Sequence, residues 1–530
     1  MILSALAALA PLVCAQEADA PRVLRSIDVS TSPIFDDEAA AGRPLRQLAN
    51  ATHWTTQDGV LVREIWKRPG DRVDAAFAEE LERNLRRTGL FAEAVVRLVP
   101  VEGTDEVDLV VRTRDRLSIS GGASGSFVGD VTSGGVGLAE SNLFGTGDRL
   151  SFRYTENSLG ETRGSLRYRD RYVAGSWTTG EAELGRTDDG DFASVSLSRP
   201  FRYLEDDFAW SAAAGTAARD RDYFANDENV AEVPFDETLA RASAAWRHGE
   251  RFDFTTRGLR FGYTDRDFGA PRGEQASSID APDSVRATFL GASLERRTIH
   301  RFEEVQGIDT LRFVEDLELS TSARLELGAT HLELDGDSGQ VQPTGTFEWT
   351  DRRSLGPTTY ASTRARLEGR FRAGEAAGWT GSARLTAFER RFAPHTLGAS
   401  AFWLQTDETQ GLPPQLTLGE GRGLRGYPAR QLTGTRVVGL NLEDRIDLDA
   451  SLGALDFGAA VFFDVGWAST PGEGYGRPFS AAGFGLRIGS NRLLGRGVAR
   501  LDVSFPLDDV DGDDLDSPLV SFSLGQAFGL

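Results

Sequence analysis

From residue 117 onward the chain alternates apolar and polar side chains in short runs. Leu150, Phe152 and Tyr154 alternate with Ser151 and Arg153, and Leu259, Phe261 and Tyr263 with Arg260 and Gly262. The same period of two sets Ala383, Leu385 and Ala387 against Arg384 and Thr386, and Leu501, Val503 and Phe505 against Asp502 and Ser504. Successive side chains of a strand point to opposite faces, so each run predicts a strand with one apolar and one polar face. Gly, Asp, Asn and Pro punctuate the runs, and no helical period interrupts them.

Before residue 117 the pattern differs. A strand is predicted at 23–29, then a helix at 55–66 with Val60, Val62 and Ile65 at helical spacing. After the turn at Pro69, Gly70 and Asp71, a second helix is predicted over 74–89. Phe77, Leu81 and Leu85 recur there every four residues, and Gly89 supplies the stop. Two strands, 92–101 and 106–114, follow across Gly103. Residues 22–116 therefore read as one small α+β module ahead of a long all-β region, 117–530.

A soluble sandwich or barrel would alternate in the same way. Three features favour a transmembrane antiparallel β-barrel. Many runs reach the roughly 9–11 residues that a tilted membrane strand needs. Arginines recur on the inward face, where a packed soluble core could not bury them. Connections alternate between short turns, such as 142–147, and long polar loops, such as 265–284, as in outer-membrane barrels.

Composition narrows the alternatives. With 40% hydrophobic and 26% charged residues and a mean hydropathy of -0.31, the chain averages like a soluble protein, as a barrel with a polar lumen also does. The 59 glycines against 20 prolines suit tight turns and close-packed strands. A net charge of -22 excludes nucleic acid as a partner. Residues 1–15, apolar and ending Val13-Cys14-Ala15, predict a cleaved secretory signal peptide that is too short to span a bilayer. Cys14 is the single cysteine, so a mature chain beginning at Gln16 has no thiol for disulfides, catalysis or metal. No apolar run after residue 15 is long enough for a spanning helix, so any crossing must be made by strands.

Enzymatic chemistry finds no support. His53, His248, His300, His331 and His395 lack metal-ligand spacing, and neither a Gly-x-Ser-x-Gly elbow nor a phosphate-binding Gly-Lys loop is present. The acidic run at 508–516 lacks the sixth-position glycine and terminal glutamate of a calcium loop, and reads as a solvated loop. No cofactor is expected. The nine tryptophans read as interfacial girdle and core residues.

Two constellations stand out near the C-terminus. Leu418-Gly-Glu-Gly-Arg-Gly-Leu-Arg-Gly-Tyr-Pro428 lies in a long loop, and Phe462-Phe-Asp-Val-Gly466 lies inside an apolar strand. Asp464 shares its face with Phe462 and Gly466, the face that should look into the lumen. A carboxylate there wants a partner, and an arginine fork matches it best. Arg425 on the loop could reach it, with Gly423 as a hinge and Gly426 allowing a sharp turn. Taken alone, Arg-Gly-Tyr reads first as a solvated loop, because such tripeptides are common.

The pair resembles the Arg-Gly-Tyr/Phe loop signature (Arg425, Gly426, Tyr427) and the Phe/Gly-x-Asp-x-Gly strand signature (Phe462, Asp464, Gly466) of the BamA/TamA-type outer-membrane assembly-factor superfamily, the surface-antigen barrels. The run Gly137-Leu-Ala-Glu-Ser-Asn-Leu-Phe-Gly-Thr-Gly147 looks like the turn after the family's second strand, and Asn441-Leu-Glu-Asp-Arg445 is similar to its Glu-x-Arg strand. The N-terminal module looks like a POTRA domain, with Gly70 and Asp71 before the helix that carries Asn84-Leu-Arg-Arg-Thr-Gly-Leu-Phe91.

The resemblance implies a sixteen-stranded barrel, the Arg425 loop tucked inside and pinned to Asp464, and a loose seam between first and last strands. It implies a protein of the bacterial outer membrane, its POTRA-like domain in the periplasm, that inserts or translocates unfolded outer-membrane or secreted client proteins. Its partners would then be those clients, the lipid bilayer and accessory periplasmic or lipoprotein subunits. A passive pore or surface antigen that keeps the scaffold without insertase function is the alternative. The chain departs from the pattern in carrying a single POTRA-like unit. Its last strand candidate also ends Leu524-Gly-Gln-Ala-Phe528 with Gly529 and Leu530 beyond.

Overall fold

The computed structural model describes residues 20–530 except 37–39, 129–130, 158–161, 226–227, 279–282, 335–338, 373–374, 408–413, 454, 470–475, 491–494 and 511–517. The predicted signal peptide and most of the acidic run lie outside the described residues.

The N-terminal part holds four strands, β1 (Arg22–Ser32), β2 (Arg72–Val73), β3 (Phe91–Pro100) and β4 (Glu106–Asp115), and three helices, α1 (Pro44–Ala51), α2 (Asp58–Glu64) and α3 (Ala75–Thr88). The sheet order is β2-β1-β4-β3, with β1 parallel to β4. Helix α3 begins where Asp74 accepts the Phe77 N–H, and it ends at Gly89 in the left-handed conformation. Its apolar stripe, Phe77, Leu81 and Leu85, packs with Leu24, Leu61, Phe91, Leu109 and Val111 into the core of this part. Helix α2 is shorter than its pattern. Asp115 takes the backbone N–H and hydroxyl of Thr56 at 2.8 and 2.7 Å, which holds the first predicted turn out of the helix. Val60 and Ile65 are buried, whereas Val62 is 49% exposed and Leu61 takes the inner place. Residues 60 and 62 stand about 200° apart on a helix and cannot share a face.

The rest is a closed antiparallel barrel. Its strands are β5 (Ile119–Val128), β6 (Val131–Leu143), β7 (Asp148–Asn157), β8 (Thr162–Asp170), β9 (Thr179–Thr187), β10 (Asp191–Arg199) and β11 (Phe208–Ala225). Then come β12 (Glu228–Glu250), β13 (Asp253–Phe268), β14 (Val285–Val305), β15 (Glu315–Leu334), β16 (Gln340–Ser354), β17 (Thr359–Arg372), β18 (Glu375–Glu389) and β19 (His395–Thr406). After a long loop that carries the hairpin β20 (Leu416–Leu418) and β21 (Leu432–Gly434), the wall finishes with β22 (Arg436–Leu452), β23 (Leu455–Ser469), β24 (Phe479–Ser490), β25 (Gly495–Pro506) and β26 (Leu519–Leu524).

Among the described residues the wall therefore contains twenty strands rather than the sixteen implied by the resemblance. Local alternation sets that a segment is a strand, but nothing in it limits how many hairpins join the ring. Each added hairpin widens the barrel by two strands and keeps the count even, so β26 still closes antiparallel onto β5. The region from Leu311 to Phe371, whose alternation divides into strands in several ways, holds β15, β16 and nearly all of β17.

Alternation along the strands sorts the two faces. Leu150, Phe152, Leu259, Phe261, Leu290, Leu327, Leu385, Val461, Phe484 and Leu501 are each more than a third exposed, on the outer surface. A belt of that size is incompatible with water and suits hydrocarbon. Among the described residues no helix is long and apolar enough to cross a membrane.

The helical side of the N-terminal part packs onto one end of the barrel. Trp66 stacks on Tyr203 at 4.7 Å with planes 3° apart, and Glu64 accepts the Tyr172 hydroxyl at 2.5 Å. Arg86 forks onto Asp316 at 2.5 and 2.8 Å, and Arg251 pairs with Glu80. Tyr172, from the turn at 171–178, belongs to the same apolar cluster as Leu81 and Leu109. Leu85→Ala should lower the stability of this part by about 2–5 kcal/mol, the usual cost of emptying a filled leucine site. The urea midpoint at which residues 22–116 become open to protease should fall, while the gel shift of the unheated barrel stays intact. An unchanged midpoint would show that Leu85 does not hold this core.

Candidate functional site

Three residues on alternate positions of β22, namely Asn441, Glu443 and Arg445, face inward. Across the register Asn441 lies opposite Asp464 and Glu443 opposite Phe462 on β23. The same parity brings Arg487 of β24 and Arg500 and Asp502 of β25 inward, with Arg487 opposite Arg500. All are buried. The strands hold this set rigidly, because each position is tied to its neighbours by ladder hydrogen bonds on both sides.

The loop between β19 and β22 turns into the lumen and adds the remaining charge. The Arg425 Nε and Nη2 donate to Asp464 at 2.7 and 2.9 Å, and its backbone N–H donates to the same carboxylate at 3.2 Å. Arg425 Nη1 donates to Glu443 at 2.5 Å. The guanidinium lies 3.6 Å from the centroid of the Phe462 ring, which covers its face. Arg445 Nε reaches the other Glu443 oxygen at 2.9 Å, while Arg487 and Arg500 bond Asp502 at 2.5 and 3.1 Å. Four arginines thus face three carboxylates, and Glu420 of the loop, buried within electrostatic reach of Arg500, supplies a fourth. Opposite charges alternate through the cluster, which is the condition for holding so many away from water.

Apolar contacts and close backbone approach seat the rest of the loop. Tyr427 is fully buried. Its hydroxyl shares a proton between the carbonyls of Ser480 and Asp508, at 2.8 and 3.0 Å, and accepts the Asp508 N–H at 3.2 Å. Gly426 has φ +86°, and an added Cβ would lie 2.9 Å from the Ala481 Cβ. Gly423 has φ +101°, and a Cβ there would strike the Phe402 ring at 2.4 Å. Its carbonyl accepts from Asn441 Nδ2 at 2.9 Å. Gly466 leaves room for Leu418, whose Cδ2 would lie 2.6 Å from an added Cβ. On the far side Gln415 exchanges two hydrogen bonds with the Phe224 backbone of β11, so the loop crosses the lumen from wall to wall.

The structure thus brings Arg425 and Tyr427 of the loop, with Phe462, Asp464 and Gly466 of the wall, into one assembly. Glu443 and Arg445 were visible only as a short motif on their strand, without partners. Arg487, Arg500 and Asp502 were missed as members, although a charge at inward parity within an apolar run, as in Phe484-Gly-Leu-Arg-Ile488, is the signal that finds them. Among the described residues no group of His, Cys, Asp or Glu could hold a metal ion. Asp508, first of the acidic run, accepts from Ser480 N and Oγ at 2.7 and 2.6 Å, so it is spent on the rim of the loop.

No protein-family profile matches the chain. Among solved structures the fold is similar to BamA from Haemophilus ducreyi lacking POTRA domains 1–3, at 13% identity over 96% of this chain and 85% of that one, with a TM-score of 0.41. It is also similar to CdiB from Escherichia coli, at 11% identity over 98% of this chain and 92% of that one, TM-score 0.44. CdiB from Acinetobacter baumannii matches at 12% identity over 95% and 74%, TM-score 0.40.

Asp464→Asn or Arg425→Ala leaves a buried charge unmatched and should cost about 3–5 kcal/mol. Arg425→Lys should recover little, since a single ammonium cannot fork onto both Asp464 and Glu443. The temperature at which the folded band disappears from an unheated gel series checks both. Unchanged transitions, with the loop still protected from protease, would show that the network does not hold it.

Proposed function

We propose that the chain is an outer-membrane protein insertion or translocation factor. Residues 22–116 are its POTRA-like periplasmic domain, residues 117–530 its barrel, and the Arg425–Asp464 pair pins the lumenal loop. The observation that carries this reading is the seam. β5 pairs with β6 at ten positions but with β26 at three, Val520 to Phe127, Ser521 to Ser126 and Phe522 to Gly125. Much of β5 therefore lacks a strand partner on its β26 side, and free backbone N–H and C=O groups on a strand edge template the addition of another strand. An incoming client strand completes that ladder without passing unpaired backbone through hydrocarbon.

The apolar belt supports a barrel set in a bilayer, and with the signal peptide expected at residues 1–15 the compartment is the bacterial outer membrane. The N-terminal module then lies on the periplasmic side, with β3 at the free edge of its sheet as a second strand-addition site. Unfolded outer-membrane or secreted proteins are the clients, accessory periplasmic or lipoprotein subunits the further partners. The chemistry is noncovalent and needs no cofactor.

A second reading, a passive pore or surface antigen, is favoured by one observation. A lumenal chamber of about 890 Å³ is lined by Arg324, Arg364, Arg384, Arg422, Glu295 and Glu348. Depletion separates the two. Loss of an insertion factor should lower the amounts of other barrel proteins in the outer membrane fraction, read by quantitative proteomics. A change in solute permeability alone, with those amounts constant, would sink the insertion reading in favour of the pore.

A further inference from the structure

A second part of the chain enters the lumen at the end that faces the N-terminal module. There the segment 525–530 leaves the wall after β26. Gly525, at φ +100°, turns the chain, and its N–H still bonds the Val498 carbonyl at 2.7 Å. Phe528 then points inward and stacks on Phe388 at 5.7 Å, and both it and Leu530 are buried with Val305, Ile308, Leu317, Leu319 and Tyr360. A terminal oxygen of Leu530 accepts from Arg364 at 2.7 Å and from Arg352 at 3.0 Å.

The connection between β14 and β15, residues 306–314, meets this segment from the other side. Glu315 gathers the N–H groups of Ile308, Asp309 and Thr310 at 3.2, 3.0 and 2.9 Å, which curls the connection inward. Arg312 crosses past β16 to β19 and pairs with Asp447, Asp449 and Asp456 at 2.7, 3.0 and 3.3 Å. Leu311 lies where Gly458 and Gly489 present no side chain, within 2.8 and 2.9 Å of their added Cβ positions. Connection and segment touch, because a Cβ on Gly529 would lie 2.1 Å from Asp309 Oδ1. Together they form a plug.

One side chain belongs to both closures. Arg445 donates through Nη1 to the Ile308 carbonyl and through Nη2 to the Phe528 carbonyl at 2.6 Å, between the Phe388 and Phe528 rings. Its Nε is held by Glu443, whose other oxygen is held by Arg425. Withdrawal of the plug leaves Arg445 in a dry site with two donors unmet, so the guanidinium must turn to new acceptors or to water. Either move disturbs the one carboxylate it shares with the lumenal loop. We propose that the plug and the Arg425 loop are a single gate, coupled through Arg445 and Glu443, so that displacing one loosens the other. The coupling is a property of the lumen and holds whichever solute or client the barrel serves.

The test uses the full chain in detergent micelles, with Cys14→Ser and a reporter Thr417→Cys on β20. The rate of labelling at position 417 by a bulky maleimide reads how often the loop leaves its seat. Removing residues 526–530 should raise that rate about fivefold or more, the lower end of typical coupling between sites. Phe528→Ala, which removes no charge and only uncovers the Arg445 guanidinium, should raise it in the same direction, and Arg445→Gln should raise it as well. An unchanged rate in the shortened chain, with the barrel folded by gel shift, would overturn the proposal and show two independent closures. If the shortened chain does not fold, Phe528→Ala decides alone, with protease release of the segment from 525 onward confirming that the plug has moved.

Discussion

The shared carboxylate of Glu443 is the constraint on which the lumen depends. It accepts from Arg425, which enters on a loop at one end, and from Arg445, which holds the plug at the other. Ion pairs in a dry interior rarely add much stability over apolar packing, but removing one member leaves a bare charge at a cost of several kcal/mol. Such a network is therefore poor at making a barrel strong and good at making one arrangement of loop and plug far better than any other.

The wall imposes a complementary constraint. In hydrocarbon every backbone group must be paired, so a sheet of this length has to close on itself. It closes with long ladders everywhere except between β26 and β5. The weak join and the strong lumenal network lie in the same part of the barrel, because β22 to β25 carry the charges and β26 forms one side of the seam. The loop and its salt bridges tie β22 to β25 together from inside.

The N-terminal part is less independent than a separate domain would be. Tyr172 of a barrel turn sits in its core cluster, and Asp115, at the end of β4, is fully buried under His53 and Thr56 at the junction. Buried polar groups need partners, and Asp115 finds them only when the segment before α2 is folded against it. Module and wall are thereby set in one orientation, with β3 as the last strand of its sheet.

Much of this was written locally. Alternation such as Leu150, Phe152 and Tyr154 determined strands with an outer apolar face, because side-chain direction along a strand follows from backbone geometry alone. The spacing of Phe77, Leu81 and Leu85, with Asp74 and Gly89 as its caps, determined α3 for the same reason. The inward parity of Asp464 was readable, and so was its need for a cation. What the tertiary structure alone decided was which charges meet and how many strands intervene. Glu443 becomes the common partner of Arg425 and Arg445 only once a loop has folded back into the ring. Phe528, displaced from its place at the end of a strand, becomes a lumenal anchor only because Gly525 turns it inward to Phe388. The number of strands is likewise a property of closure, since each hairpin is locally complete and carries no record of how many others share the ring.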